Sequence, residues 1–199
     1  MATTTRASRR TRLPSKGQPF TYADYLRLPH SPYREEVLQG RLVVSPSPST
    51  LHQDTVGALV ELLRAHARKA KLGRVLPGPT DVVLSETDVA VPDLVFVAVA
   101  RRDLVQPRGI FGPPDLVLEV LSPSDPRRDT DTKRRMYARY GVTHYWIVDP
   151  EQRRLWLFRL AEPGKYECVG EYAGDETFRA EPFPELDIPL TQVWPPELS

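Results

Sequence analysis

Two acidic residues lie inside otherwise apolar, strand-like segments of this sequence. Asp93 interrupts the segment VPDLVFV, and Glu119 interrupts the segment DLVLEVLS. Burying an unpaired carboxylate is costly, so each acid must be protonated, paired, placed at an exposed strand end or bound to a cation. On neighbouring strands the two carboxylates would converge and supply the hard oxygen ligands that Mg²⁺ or Mn²⁺ prefers. The alternatives are that Asp93 caps the turn after Pro92 and that Glu119 pairs with an arginine.

A lysine lies on the apolar face of a predicted helix. Lys133, Met136, Tyr137 and Tyr140 follow the i, i+3, i+4, i+7 spacing, so the lysine shares the stripe that should pack on a sheet. Its ammonium is therefore expected to face an acidic group. A lysine beside paired carboxylates can stabilise charge on a phosphoryl transition state and orient an attacking water. The alternative is a lysine at the edge of the stripe whose ammonium reaches solvent.

The elements that must hold these residues are a mixture of helices and strands. Helical spacing or capping residues predict helices from Thr21 to Leu28, from Leu51 to Ala70, and from Asp129 to Tyr140 with Gly141 after it. Apolar runs bounded by turn residues predict strands at Arg34 to Leu38, Arg41 to Ser45, Arg74 to Leu84, Val89 to Ala98, Leu116 to Leu121, Val142 to Val148 and Leu155 to Leu160. Residues 101–114 are expected to form a loop. This order predicts an α/β (α+β) fold with a central mixed β-sheet flanked by helices.

The composition is that of one globular domain. The chain has 199 residues, a net charge of +1 and a single cysteine, Cys168, which can form no intramolecular disulfide. The sequence shows neither a secretory signal nor an apolar run long enough to cross a bilayer, so we expect a cytoplasmic protein without membrane contact. Residues 1–18 are expected to form a basic flexible tail, and residues 19–199 a single domain.

Several ordered blocks of the sequence resemble the Uma-type restriction endonucleases, a bacterial branch of the PD-(D/E)XK nuclease superfamily. The blocks are EVLQGRLVVSPSPSTLHQ, DVVLS, VPDLVFV, GPPDLVLEVLSPS and DTDTKRRMYARYGVTHYWIVDPE, and they are followed by the strand from Leu155 to Leu160. Each block is weak by itself, but their order and spacing make the resemblance specific. It covers roughly residues 33–190 and implies a restriction-endonuclease-like core.

The resemblance also implies a metal site with a catalytic lysine. In that superfamily an Asp after a Pro and a later acid hold a divalent metal, and these positions correspond here to Asp93 and Glu119. The superfamily's lysine, two positions after the acid, is absent because position 121 is Leu. Lys133 resembles a lysine that has been relocated to the following helix in this branch. The pair Pro114-Asp115 is the alternative to Pro92-Asp93, and we interpret it as the entry to the strand that carries Glu119.

Three further residues are candidates for the same site. Glu36 is the candidate for a third acid, because strand alternation turns its neighbour Glu35 to the opposite face. His52 and Ser122 are candidates for contact with the substrate. A capping or structural role is the alternative for His52, and for Ser122 the alternative is that it only shapes the loop after the strand.

These features together favour a nuclease. The hypothesis is an endonuclease that depends on Mg²⁺, with Mn²⁺ as the other candidate ion, and hydrolyses phosphodiester bonds in DNA with Asp93, Glu119, Lys133 and Glu36. The resemblance alone implies a homodimer. The alternative is a catalytically degenerate nuclease fold that serves as a nucleic-acid-binding or protein-interaction module. The missing lysine at Leu121 and the near-neutral net charge favour this alternative.

Overall fold

The computed structural model describes residues 15, 17–122 and 128–195, so most of the predicted tail at residues 1–18 lies outside the described residues. The helices are α1 (Tyr22–Tyr25), α2 (Thr50–Lys69) and α3 (Arg134–Tyr140), and the helical turn Arg128–Lys133 leads into α3. The strands are β1 (Arg34–Leu38), β2 (Arg41–Ser45), β3 (Gly73–Pro77), β4 (Val82–Ser85), β5 (Asp88–Ala90), β6 (Leu94–Ala98), β7 (Val105–Gln106), β8 (Gly109–Phe111), β9 (Leu116–Val120), β10 (His144–Asp149), β11 (Arg154–Glu162), β12 (Lys165–Ala173), β13 (Thr177–Ala180) and β14 (Phe183–Pro189). No helix among these is long and apolar enough to span a bilayer.

The described strands form two six-stranded mixed sheets and one hairpin. The first sheet has the order β2-β1-β5-β4-β8-β7, and the second has the order β12-β11-β10-β9-β6-β3. One neighbouring pair in each sheet is parallel, β4 with β8 and β9 with β10, and the other pairs are antiparallel. The hairpin β13-β14 pairs with neither of these sheets. The chain is therefore an α+β protein, as its sequence predicts.

Strand alternation divides the core of the second sheet into two layers. Leu94 and Phe96 of β6 pack in a cluster with α2 and the hairpin β13-β14, whereas Val95 and Val97 of the same strand pack in a cluster with the first sheet and α3. Successive side chains of a strand point to opposite faces, so both faces of the second sheet are covered. This double cover explains why β6 and β9 are almost continuously apolar.

The structure corrects several predicted elements. Residues 74–84 and 89–98 do not form one strand each, because both segments break and continue in the other sheet. Pro92 has no N–H to donate to a ladder, and it lies in the connection between β5 and β6. The single central sheet is therefore replaced by two sheets. The expected loop at residues 101–114 contains the short strands β7 and β8, and α1 stops at Tyr25 instead of reaching Leu28.

The hairpin β1-β2 and its turn agree with the sequence. Gln39 and Gly40 both have positive φ, 52° and 71°, which is the backbone conformation of the tight turn that joins twisted strands. A side chain at position 40 would lie within 2.8 Å of the Cβ of Pro19. The turn therefore fixes the register of β1, in which Glu36 faces Val43 across the ladder.

Candidate active site

The second sheet brings Asp93 and Glu119 side by side. Leu94 of β6 lies opposite Leu118 of β9 in an antiparallel ladder, and this register, continued by one residue, sets Asp93 beside Glu119. The backbone N–H of Val120 donates to Asp93 Oδ2 over 2.8 Å. Both side chains are buried. Alternation places them on the face of Val95 and Val117, which packs toward the first sheet and α3.

Arg34 lies between these two carboxylates. Its Nη2 is 2.7 Å from Asp93 Oδ1, and its Nη1 is 3.8 Å from Glu119 Oε2. Nη1 also donates to the carbonyl of Val91 over 3.2 Å. A single guanidinium therefore reaches both acids and the backbone segment that precedes Asp93. Its planar fork suits this geometry better than the point charge of a lysine would.

Lys133 is fully buried between two glutamates. Its Nζ lies 2.9 Å from Glu119 Oε1 and 3.0 Å from Glu36 Oε1, and its side chain is 0% exposed. The hydroxyl of Tyr137 donates to the same Glu119 oxygen over 2.8 Å. Burial and the charges of Glu119 and Glu36 hold the pKa of Tyr137 well above its ordinary value, so its hydroxyl keeps its proton. The helical stripe predicted from the sequence thus faces acids.

Helix α3 is fixed at its far end by another buried acid. Asp88 of β5 accepts hydrogen bonds from Arg139 over 2.8 Å and from the hydroxyl of Tyr140 over 2.7 Å. The helix closes at Gly141, which has the left-handed conformation that glycine adopts at low cost. These contacts join α3 to the first sheet. Because Lys133 immediately precedes α3, they also restrain the position of its ammonium.

Glu36 connects the lysine to the segment between the two sheets. Its Oε1 accepts the backbone N–H of Val91 over 2.9 Å as well as the Lys133 ammonium. Its Oε2 has no hydrogen-bond partner among the described residues, although the atom is buried. A buried carboxylate oxygen without a partner is costly, which is typical of a position that a ligand or water fills. Glu35, by contrast, is partly exposed.

His52 lies against Asp93 at the start of α2. Ser49 caps the helix by accepting the backbone N–H of His52, and His52 Nε2 lies 3.2 Å from Asp93 Oδ2. Burial alone would raise the pKa of Asp93. The hydrogen bond from His52, the charge of Arg34 and the Val120 N–H outweigh this effect and hold the pKa below its usual value. Asp93 is therefore an ionised carboxylate at neutral pH.

The donor set fits a hydrated divalent cation. Within the described ranges, no three His, Cys, Asp or Glu side chains are close enough to share one ion. Mg²⁺ commonly binds through one or two carboxylates and keeps several waters, so it does not need a full protein cage. The ionised Asp93 and the adjacent Glu119 meet this requirement. Asp93 and Glu119 are the residues that would hold the ion.

The structure brings together most of the residues that the sequence singles out. Asp93, Glu119, Lys133 and Glu36 form one connected cluster, and His52 joins it through Asp93. Ser122 is partly buried just after β9, next to residues 123–127, which are outside the described part, so its role stays a prediction. The alternative acid Asp115 instead pairs with Arg101 over 3.1 Å.

Two members of the cluster are absent from the sequence-based candidates. Arg34 stands two residues before Glu36, and the two-residue period of a strand places both on the same face. Tyr137 stands four residues after Lys133, so helical spacing places it on the same stripe. The strand period around Glu36 and the helical period around Lys133 were therefore enough to detect both positions. The bridging role of Arg34 was not, because it depends on how the two sheets pack.

Comparisons with known proteins agree with this fold. The family model described as "Uma2: Putative restriction endonuclease" matches residues 22–191. A crystal structure of "a putative nuclease belonging to DUF820 from Anabaena variabilis ATCC 29413" matches with a TM-score of 0.73 and 18% sequence identity. The match covers 88% of this chain and 98% of that chain. At this identity the likeness concerns the fold alone. The comparison with curated proteins found no match.

Proposed function

Because the chain belongs to the Uma2 family, we propose that it is a divalent-metal-dependent endonuclease that hydrolyses phosphodiester bonds in DNA. Mg²⁺ is the proposed ion, and Mn²⁺ can replace it. Asp93 and Glu119 are the proposed metal ligands, and Lys133 and Glu36 complete the catalytic set. His52 and Ser122 are proposed to contact the substrate side of the site. We further propose a single restriction-endonuclease-like domain at residues 19–199, located in the cytoplasm and acting as a homodimer.

One observation carries this proposal. Two buried carboxylates, Glu119 of β9 and Asp93 just before β6, lie beside two buried or half-buried cations, Lys133 and Arg34, in a single connected cluster. Structural ion pairs alone rarely need four charged groups and a tyrosine at one point of a core, because each buried charge loses hydration. Perturbed and clustered charges are typical of catalytic sites.

The residues have distinct parts in the proposed reaction. When bound, the divalent ion supplies charge neutralisation at the scissile phosphate and a lower pKa for the attacking water. Asp93 and Glu119 would hold the ion at the face of the second sheet, and the lowered pKa of Asp93 keeps that carboxylate ionised. Lys133 keeps one oxygen of Glu119 oriented, and its buried ammonium offsets the negative charge of the acids that face the reacting phosphate. His52 fixes Asp93 from the other side.

Metal titration with matched variants tests the proposal. Asp93→Asn and Glu119→Gln remove one charge each at nearly constant shape, and Asp115→Asn is the control because this acid lies at the opposite end of β9. Calorimetric titration with Mn²⁺ is expected to show binding in the wild type and in the control. Each site variant should weaken it by more than about tenfold, since even outer partners of metal ligands have effects of that size. The wild type and Asp115→Asn should also cleave supercoiled plasmid, and Asp93→Asn and Glu119→Gln should cleave it less.

The degenerate module remains the second candidate because one observation favours it. Arg34 pairs with both acids, so they are compensated in part without any ion. A module of this kind would bind nucleic acid or protein without a response to Mg²⁺ or Mn²⁺. Wild-type protein that binds no divalent ion and cuts neither supercoiled nor linear DNA would refute the endonuclease and favour the module. Sedimentation of the purified protein tests the homodimer separately.

A further inference from the structure

A cleft of about 560 Å³ opens directly beside the candidate site. Its inner end is formed by Arg34, His52 and Asp93. Its outer walls come from the segment after α1, the loop between β2 and α2, and the loop between β3 and β4. Pockets of about 300–1,000 Å³ are the size that encloses one small molecule or one group of a larger ligand.

The outer walls of the cleft are rich in proline and stiff. Six prolines line it: Pro29, Pro32, Pro46, Pro48, Pro79 and Pro92. Proline fixes its own backbone φ, so such walls keep their shape without a ligand. The rim also carries Leu26 and Tyr33, whose side chains are 45% and 54% exposed. The Tyr33 ring stacks on no other ring of the described residues.

The charges of the cleft do not match a row of phosphates, so the cleft is suited to a base, and a base is accessible only where it is unpaired. Arg34 is the one lysine or arginine among the described lining residues, and it is already paired with Asp93 and Glu119. Glu35 and Asp81 add acidic groups to the walls. Duplex DNA carries one phosphate charge for about every 1.7 Å of its axis and is bound through rows of lysine and arginine. The lining therefore favours the face of a base over a phosphate backbone.

We propose that this cleft binds an unpaired nucleotide of the DNA substrate, with its base stacked on Tyr33. Sequence-tolerant proteins that bind single strands use aromatic platforms of this kind. Ser47 and Gln53, which also line the cleft, supply hydrogen-bonding groups for the edge of the base. The phosphate next to the seated nucleotide then lies toward Arg34 and Asp93. The preferred substrate is single-stranded or locally unpaired DNA. The inference rests on the proposed nuclease function and names the substrate class of that site.

Binding measured without cleavage tests this inference apart from the nuclease function. Fluorescence anisotropy in EDTA compares a labelled mixed-sequence single strand, the blunt duplex of the same sequence, and that duplex with a short single-stranded gap. The full-length wild type should bind the single strand and the gapped duplex more tightly than the blunt duplex. Tyr33→Ala should weaken binding of the single strand by about tenfold, which is the typical contribution of one stacked base.

Two variants separate stacking from a general change of surface. Tyr33→Phe keeps the ring and should bind the single strand like the wild type. Val169→Ala removes an apolar side chain of similar exposure on β12, outside the cleft, and should have no effect. Thermal unfolding of each variant checks the fold.

The outcomes are distinct for the two proposals. Equal or tighter binding of the blunt duplex, with Tyr33→Ala unchanged, would overturn the unpaired-nucleotide site even if the protein cuts duplex DNA with Mg²⁺. Binding of no DNA by the wild type would overturn it as well. Ring-dependent binding of the single strand without cleavage in Mg²⁺ or Mn²⁺ would support the site while the nuclease proposal fails.

Discussion

Replacing Lys133 with Met should destabilise the protein strongly, because it removes the positive charge between two buried glutamates. The Nζ atom lies 2.9 Å from Glu119 Oε1 and 3.0 Å from Glu36 Oε1. With an effective dielectric constant of about 20, Coulomb's law gives roughly 5 to 6 kcal/mol of attraction for each pair. Lost hydration of the buried charges offsets much of this attraction. The expected net loss is the roughly 3–5 kcal/mol that is typical when one partner of a buried ion pair is removed.

Urea unfolding in EDTA at pH 7 measures this loss without any contribution from a bound metal. Lys69→Met is the matched control, because Lys69 is exposed in the last turn of α2 and should change stability by less than about 0.5 kcal/mol. The double variant Lys133→Met/Glu36→Gln also removes the charge of Glu36, one of the two acids that contact the lysine. The double variant should lose about 1–3 kcal/mol less free energy of unfolding than the two single variants lose together.

The stability of the variants can also refute the placement of Lys133 between Glu36 and Glu119. A cost below about 1 kcal/mol for Lys133→Met would mean that the ammonium is hydrated in solution and does not lie between Glu36 and Glu119. Additive effects in the double variant would mean that Lys133 and Glu36 do not interact. Either result would remove the central contact of the site and, with it, the physical basis for a lysine that acts from α3.

Three further predictions concern the same cluster. The variant Arg34→Gln should bind Mn²⁺ about fivefold more tightly in calorimetry, because it lacks the ion pair of about 1 kcal/mol that competes with the ion for Asp93. Weaker binding would show that Arg34 does not compete with the ion. Folding lowers the pKa of Asp93, so the ionised carboxylate stabilises the folded protein. This stabilisation should be complete above the ordinary pKa of an aspartate and should be lost as the pH falls through the lower pKa of the folded state. Asp93→Asn should lack this decline in urea unfolding between about pH 6 and pH 2 in EDTA, and an identical acid limb in both proteins would contradict it. Tyr137→Phe should lower the free energy of unfolding by about 1–2 kcal/mol, because Glu119 loses a buried donor, and an unchanged stability would argue against that bond.

Local patterns were enough to predict some of the elements that carry the site. The hairpin at Arg34–Leu38 and Arg41–Ser45 is confirmed, because turn chemistry at Gln39 and Gly40 acts within a few residues. Helix α2 is confirmed to within one residue at each end. The two sheets were not predicted. Pro92 breaks an apolar run without signalling that the chain leaves one sheet for the other, since that choice depends on long-range pairing.

The candidate residues show the same division between local and long-range information. The cost of burying a carboxylate in an apolar segment singles out Asp93 and Glu119, and the helical spacing of apolar residues singles out Lys133. The sequence was therefore enough to name these three members of the cluster as candidates. Arg34 was missed because its bridging position exists only after the two sheets pack face to face. The buried location of His52 against Asp93 likewise depends on how α2 crosses the second sheet.

The position of the site explains how one ammonium, that of Lys133, contacts acids of both sheets. Glu36 and Arg34 belong to the first sheet, and Glu119 belongs to the second. Asp93 lies in the short connection that leads from one sheet to the other, and both Arg34 and Glu36 hold the backbone of Val91 in that connection. A lysine at position 121 would extend from the second sheet alone. An ammonium that enters from α3 can instead contact acids of both sheets at once. The charged cluster therefore forms only when the sheets are packed together, which couples the geometry of the site to the integrity of the whole fold.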